Sequence, residues 1–184
     1  CQKSFEQVAI LPLIEEVFIQ GFRETEEEKR PRRKKSPQRA LKGFVSYAHE
    51  DRDYQKEFSK HLDILKRTNI LDTWVDSEIL AGQAWDEEIM SKLEEADVIF
   101  LLISIDFLTS DFIQTEELRV AMKKHEAKTA RVIPIILREC AWKNQEFAKL
   151  QAANTRPVAD MDKDKAWTAI DQEIRRSIAN FLEE

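Results

Sequence analysis

Two neighbouring carboxylates, Glu116 and Glu117, follow Ser110-Asp111-Phe112-Ile113-Gln114-Thr115 and open a helical pattern running to Lys124. A helix dipole stabilises acids in its first turn whether or not they do chemistry, so position alone leaves a solvated pair and a working acid both open. A second polar group, Ser46, His49 and Arg52, lies at the end of the run Gly43 to Tyr47 and just after it. Ser46 with His49 and an aspartate has the composition of a hydrolase triad, but no nucleophile elbow presents the serine, which argues against acyl transfer. The only glycines are Gly21, Gly43 and Gly82, so neither a G-x-G-x-x-G fingerprint nor a Walker A loop can be written. Any phosphate must then be held by a side chain such as Arg52. Cys1, Cys140, His49, His61 and His125 lack zinc-site spacing and any disulfide framework, which predicts no metal and a reducing compartment.

These groups fall where strands are expected to end. From residue 42 short apolar runs alternate with amphipathic helices, the pattern of an α/β domain with a parallel sheet. Strands are predicted over Gly43–Tyr47, Ile70–Val75, Asp97–Ser104 and Arg131–Leu137, with a short edge strand over Pro157–Ala159. The run Val98-Ile99-Phe100-Leu101-Leu102-Ile103 suits a central strand covered on both faces. Pro134, inside the fourth strand, calls for a bulge or a missing ladder bond. Helices are predicted from the spacing of Tyr54, Phe58, Leu62 and Leu65; of Ile89, Leu93 and Ala96, starting near Trp85; over Glu117–Lys124; over Phe147–Ala152; and from Trp167 through Ile170, Ile174 and Ile178 to Phe181. The expected architecture is a five-stranded, doubly wound parallel sheet of flavodoxin-like type. Such sheets bind ligands beyond the carboxyl ends of their strands, here the loops Ala48–Asp53, Asp76–Ala84, Ile105–Gln114 and Arg138–Gln145.

The chain has 184 residues, 42% hydrophobic, with 29 Lys+Arg against 35 Asp+Glu and a net charge of −6. That balance is unlike a basic nucleic-acid binder, and no apolar run is long enough to span a bilayer. Residues 1–39 carry 9 basic and 7 acidic side chains, and the rest carries 20 and 28. Residues 1–22 read as an extra N-terminal helix, the end of an upstream module. Residues 23–41 read as a charged linker, because Glu24, Glu26, Glu27, Glu28 and then Lys29-Arg30-Pro31-Arg32-Arg33-Lys34-Lys35 bury nothing. A nuclear-targeting or nucleic-acid role is the sharper reading of that basic run, and a solvated hinge the preferred one. The chain opens on Cys1 and shows no leader pattern, so it reads as a piece of a longer protein.

Four segments in order carry a family likeness: Gly43-Phe44-Val45-Ser46-Tyr47-Ala48-His49-Glu50-Asp51; Trp74-Val75-Asp76 through Ile79-Leu80-Ala81-Gly82-Gln83-Ala84-Trp85; Leu101 through Phe112 to Glu117-Leu118; and Arg131-Val132-Ile133-Pro134-Ile135-Ile136-Leu137 with Trp142. Together they resemble the Toll/interleukin-1 receptor (TIR) domain, in particular its bacterial-type branch, over about 42–184. The resemblance implies the TIR fold and, in many members of that branch, cleavage of NAD+ between nicotinamide and ribose, sometimes with cyclisation of the ADP-ribose. Nicotinamide is cationic on its nitrogen and leaves as a neutral base, so the general acid of ordinary glycosidases is unnecessary. One carboxylate that holds the ribose and stabilises the developing positive charge suffices.

By resemblance that carboxylate is Glu117, with Glu116 its rival. Tyr47, Trp74 and Phe112 would stack on the rings, Trp85 being assigned to packing, and Ser46, Arg52 and Asp76 would be polar anchors, with His49 given little weight. The resemblance further implies self-association through Ile79, Leu80 and Gly82, cytoplasmic signalling in immunity or stress, and NAD+ as substrate rather than cofactor. Its partners would be other TIR domains and an upstream oligomerising module. The competing expectation is a non-catalytic TIR–TIR scaffold. A phosphoacceptor receiver fits poorly, since no acidic pair closes the first strand and Ser104 closes the third.

Overall fold

The computed structural model describes residues 39–74, 85–111 and 113–184, all within the unit Pro37–Glu184. The expected N-terminal helix and residues 23–38 of the expected linker lie outside the described residues.

Four strands form one parallel sheet: β1 Leu41–Tyr47, β2 Leu71–Trp74, β3 Val98–Ile103 and β4 Arg131–Ile136. Their order is β2-β1-β3-β4, so the chain builds outward in one direction from β1 and then returns to the other side with β3. β3 is central and buried throughout. Its side chains alternate between two cores: Val98, Phe100 and Leu102 face one, and Ile99, Leu101 and Ile103 the other. The first core is closed by α1, Arg52–Arg67, through Phe58, Leu62 and Leu65, and by the last helix, Lys163–Phe181, through Trp167, Ile170, Ile174 and Ile178. The second lies under α2, Trp85–Glu95, through Ile89 and Leu93, and under α4, Leu118–Glu126, through Leu118, Ala121 and Met122. α3, Ile105–Thr109, is a short helix directly after β3, and the last helix is α5. A Cβ on Gly43 would meet Thr73 Cγ2 at 2.6 Å, so glycine is what permits the Gly43–Thr73 register of β1 and β2.

Three expectations need correction. The segment expected as a fifth strand, Pro157–Ala159, is a 3-10 turn over Val158–Asp160, and the sheet has four strands among the described residues. The reason lies at the free edge of β4. Ile136 N–H donates to Asn154 Oδ1 at 2.9 Å, and Asn154 Nδ2 donates back to the Ile136 carbonyl at 2.8 Å, so one side-chain amide copies the hydrogen bonding of a strand. Ala153 N–H adds a bond to the Pro134 carbonyl at 2.8 Å and Ala159 N–H one to Leu137 at 2.9 Å. Pro134 turns the same side to this edge, so its missing N–H costs β4 no bond to β3.

Second, the helix expected over Glu117–Lys124 starts one residue later and is entered through a π-helical turn, Ile113–Glu117. Third, the helix expected over Phe147–Ala152 is a 3-10 turn over Glu146–Lys149.

Candidate active site

A cavity of about 330 Å³ opens at the carboxyl ends of β1 and β3. These adjacent strands are where the sheet order reverses, the position at which open α/β sheets form a ligand crevice. The end of β1 and the turn after it contribute Ser46, Tyr47, His49 and Glu50. The segment after β3 contributes Asp106, Thr109, Ser110, Ile113 and Glu117, while Phe44 and Ile89 supply apolar wall.

Glu117 is the deepest acid of this cavity, only 5% exposed, and the Ser46 hydroxyl donates to its Oε2. The π-helical turn produces that placement. Its wider winding ends at Glu117 and faces that side chain inward with Ile113, while Glu116 points to solvent and pairs with Arg119 at 3.1 Å. π-turns of this kind occur disproportionately at functional sites. Of the two adjacent carboxylates, Glu117 lines the cavity and Glu116 forms a surface ion pair.

Ser46 and Glu117 are therefore brought together, whereas Tyr47, next along β1, borders the cavity but packs its side chain into the first core. Arg52 begins α1, is exposed, and is not part of the cavity wall. Trp74 stacks on the wall residue Phe44 at 5.7 Å between ring centres with 14° between planes, packed against the second core and not itself lining the cavity. Asp76, Ile79, Leu80, Gly82 and Phe112 lie outside the described residues.

Beside the cavity is a polar network the sequence reading did not assemble. Asp51 precedes α1, where its side chain would ordinarily cap the helix, yet it makes no cap bond. Its carboxylate, 1% exposed, instead accepts from the Ser104 hydroxyl through Oδ2 and from Arg138 Nη2 at 2.6 Å through Oδ1. Ser104 in turn caps α3 by accepting from Phe107 N–H at 3.1 Å. Arg138 Nη2 also donates to Asp106 Oδ2. The Asp106 hydrogen bond is the main cause of a guanidinium pKa above its ordinary value, partly opposed by burial and reinforced by Asp51. One arginine after β4 thus ties the segments after β1 and β3 to each other. All four residues stand in or next to the strand-end loops, which was the available signal. Their partnership joins positions up to 87 residues apart, and spacing carries no trace of it.

Among the described residues no group of three or more His, Cys, Asp and Glu is arranged to hold a metal ion. None of the described helices is long and apolar enough to cross a membrane.

A family model described as TIR domain matches residues 44–180. A curated relative, the uncharacterized protein y4lF of Sinorhizobium fredii, is 36% identical over 137 residues. That match covers 73% of this chain and 42% of the relative, so the chain spans less than half of that protein's length. Among solved structures, the TIR domain of the Toll-related receptor TRR-2 from Hydra magnipapillata superimposes with a TM-score of 0.54 at 20% identity, covering 74% of this chain and 96% of that one. The TIR domains of the activated Roq1 resistosome align with a TM-score of 0.45 at 24% identity over 77% of this chain and 84% of theirs.

Proposed function

The chain belongs to the TIR domain family, and from that premise we propose that it hydrolyses NAD+ at the nicotinamide–ribose bond, with Glu117 as the catalytic carboxylate. The observation that carries this reading is the burial of Glu117 in the strand-end cavity with its Oε2 held by the Ser46 hydroxyl. In the proposed reaction the C–N glycosidic bond breaks and its electron pair leaves with nicotinamide as a neutral base. Positive charge moves onto the ribose ring, where the Glu117 carboxylate opposes it, and a fixed charge in a partly dry cleft acts strongly there. Water then bonds to the anomeric carbon and releases a proton, giving ADP-ribose; attack by an adenine nitrogen instead gives the cyclic product. Phe112 is the ring-stacking candidate that remains, since the Tyr47 side chain packs in the first core. Ser46 orients Glu117, and Asp76 and Arg52 are the remaining proposed polar anchors for the substrate.

The proposal extends to regulation. Self-association through Ile79, Leu80 and Gly82, driven by an upstream module, would raise activity in a cytoplasmic immune or stress pathway. The test is to cluster the protein artificially, add NAD+ and measure free nicotinamide. Glu117→Gln is expected to lower release at least about 100-fold, the scale of losing a group that acts in the transition state, and Glu116→Gln to leave it within about twofold. Loss in the Glu116 variant alone would name the wrong carboxylate. No release from demonstrably clustered protein would leave the non-catalytic scaffold in its place.

A further inference from the structure

The charges around the cavity are one-sided. Its wall holds three carboxylates, Glu50, Asp106 and Glu117, and no lysine or arginine among the described residues. The nearby Arg138 does not offset them, because its guanidinium is already shared between Asp51 and Asp106 and leaves that trio one net negative charge. A wall of this kind suits a positively charged ligand group and opposes a phosphate.

Asp106 is the member of this set built for recognition. Glu117 is engaged by Ser46, and Glu50 is exposed. Asp106 stands on the cavity wall with Oδ2 fixed by Arg138. Its Oδ1 makes no hydrogen bond among the described residues. Arg138 is in turn fixed by the buried Asp51, which Ser104 also holds. A carboxylate anchored through one oxygen keeps its orientation before a ligand arrives, so recognition through the other costs little ordering.

We propose that Asp106 is a specificity-determining residue that reads the positive charge of an N-ribosyl pyridinium, and that the cavity takes this cationic nucleoside head while the phosphates stay outside it. This rests on reading the cavity as the substrate site. It divides the labour between two acids. The ring charge exists in the bound substrate and vanishes as nicotinamide leaves, so Asp106 contributes to binding; the sugar charge appears only in the transition state, so Glu117 contributes to turnover.

The experiment compares two phosphate-free probes of nearly identical shape, nicotinamide riboside, which is cationic, and its dihydro form, which is neutral. Their affinities for the full chain are measured by titration calorimetry or by line broadening of the probe. Wild-type protein is expected to favour the cationic probe about tenfold or more, the scale of one charge-assisted contact. Asp106→Asn should bring the two affinities within about twofold of each other, and Asp106→Glu, which keeps the charge, should restore most of the preference. Asp106 is partly exposed, and circular dichroism checks that both variants fold.

Equal affinities in wild type, undiminished preference in Asp106→Asn, or no binding of either probe at millimolar concentration would each overturn the proposal. These outcomes separate from those of the hydrolase reading. Nicotinamide release without charge preference sinks only the inference, and charge preference without release sinks only the activity.

Discussion

Ser46 illustrates how much one hydroxyl at this site is asked to do. It sits near the end of β1, fully enclosed, and donates to a carboxylate that is itself enclosed. A hydrogen bond to a charged group is worth about 1.5–3 kcal/mol, and removing one partner leaves the other underserved in low dielectric. Ser46→Ala is therefore expected to lower kcat for nicotinamide release roughly 10- to 100-fold, with KM changed much less, because the carboxylate loses its orientation at the moment sugar charge develops. Steady-state kinetics on clustered protein read this directly, and an unchanged kcat would make the hydroxyl a packing group. Ser46 and Glu117 could be named from the sequence because each stands in a recognisable family segment, one at the end of β1 and the other at the entry to α4. Asp51, Asp106 and Arg138 were not. A carboxylate after a strand and an arginine in another loop are ordinary surface residues until the sheet brings their loops together.

At the level of elements, legibility followed periodicity. β3 showed itself as an uninterrupted apolar run because both of its faces are covered, and α1 and α5 because their buried residues recur at helical spacing. What escaped were features with no period: the π-turn at Ile113–Glu117 and the side-chain substitute for a fifth strand. That substitute makes a strong prediction. Asn154→Ala deprives both the Ile136 N–H and its carbonyl of their partner at once. Two backbone groups left with incomplete hydrogen bonding at a half-buried edge should cost about 2–4 kcal/mol of stability by denaturant unfolding, less if water enters. A loss under about 0.5 kcal/mol would show the edge to be solvent-satisfied.

The opposite end of β4 has its own acid sensitivity. His125 Nδ1 accepts from the Val132 N–H at 3.3 Å. Burial first, then the charges of Arg131 and Lys149, push its pKa below the usual histidine value, against weaker opposing effects of Glu184 and Glu126. A depressed folded-state pKa means that the unfolded chain takes up the proton first. Its stabilising contribution is thus complete above about pH 6.5 and declines as pH falls from there through the lower folded value. His125→Gln should flatten the stability change between about pH 7 and 5, measured by urea unfolding at each pH. An equally steep decline in the variant would assign it to other groups.

For the molecule as a whole the charge distribution sets a problem that any activation by clustering must solve. The part after residue 39 carries 20 basic and 28 acidic side chains, so copies of it repel one another, and each repels an anionic dinucleotide before any local contact forms. Salt weakens both effects, since the screening length falls from about 30 Å at 0.01 M to about 8 Å at 0.15 M ionic strength. An association surface built on Ile79, Leu80 and Gly82 would gain nothing from charge and lose nothing to salt, because apolar burial does not depend on a long-range field. At fixed protein concentration, nicotinamide release per chain is therefore expected to rise several-fold as ionic strength goes from about 0.01 to 0.15 M. Sedimentation velocity should show larger assemblies over the same range. Activity that falls with added salt while sedimentation stays unchanged would mean that a local cation such as Arg52, acting on the phosphates outside the acidic cavity, outweighs the field of the whole surface.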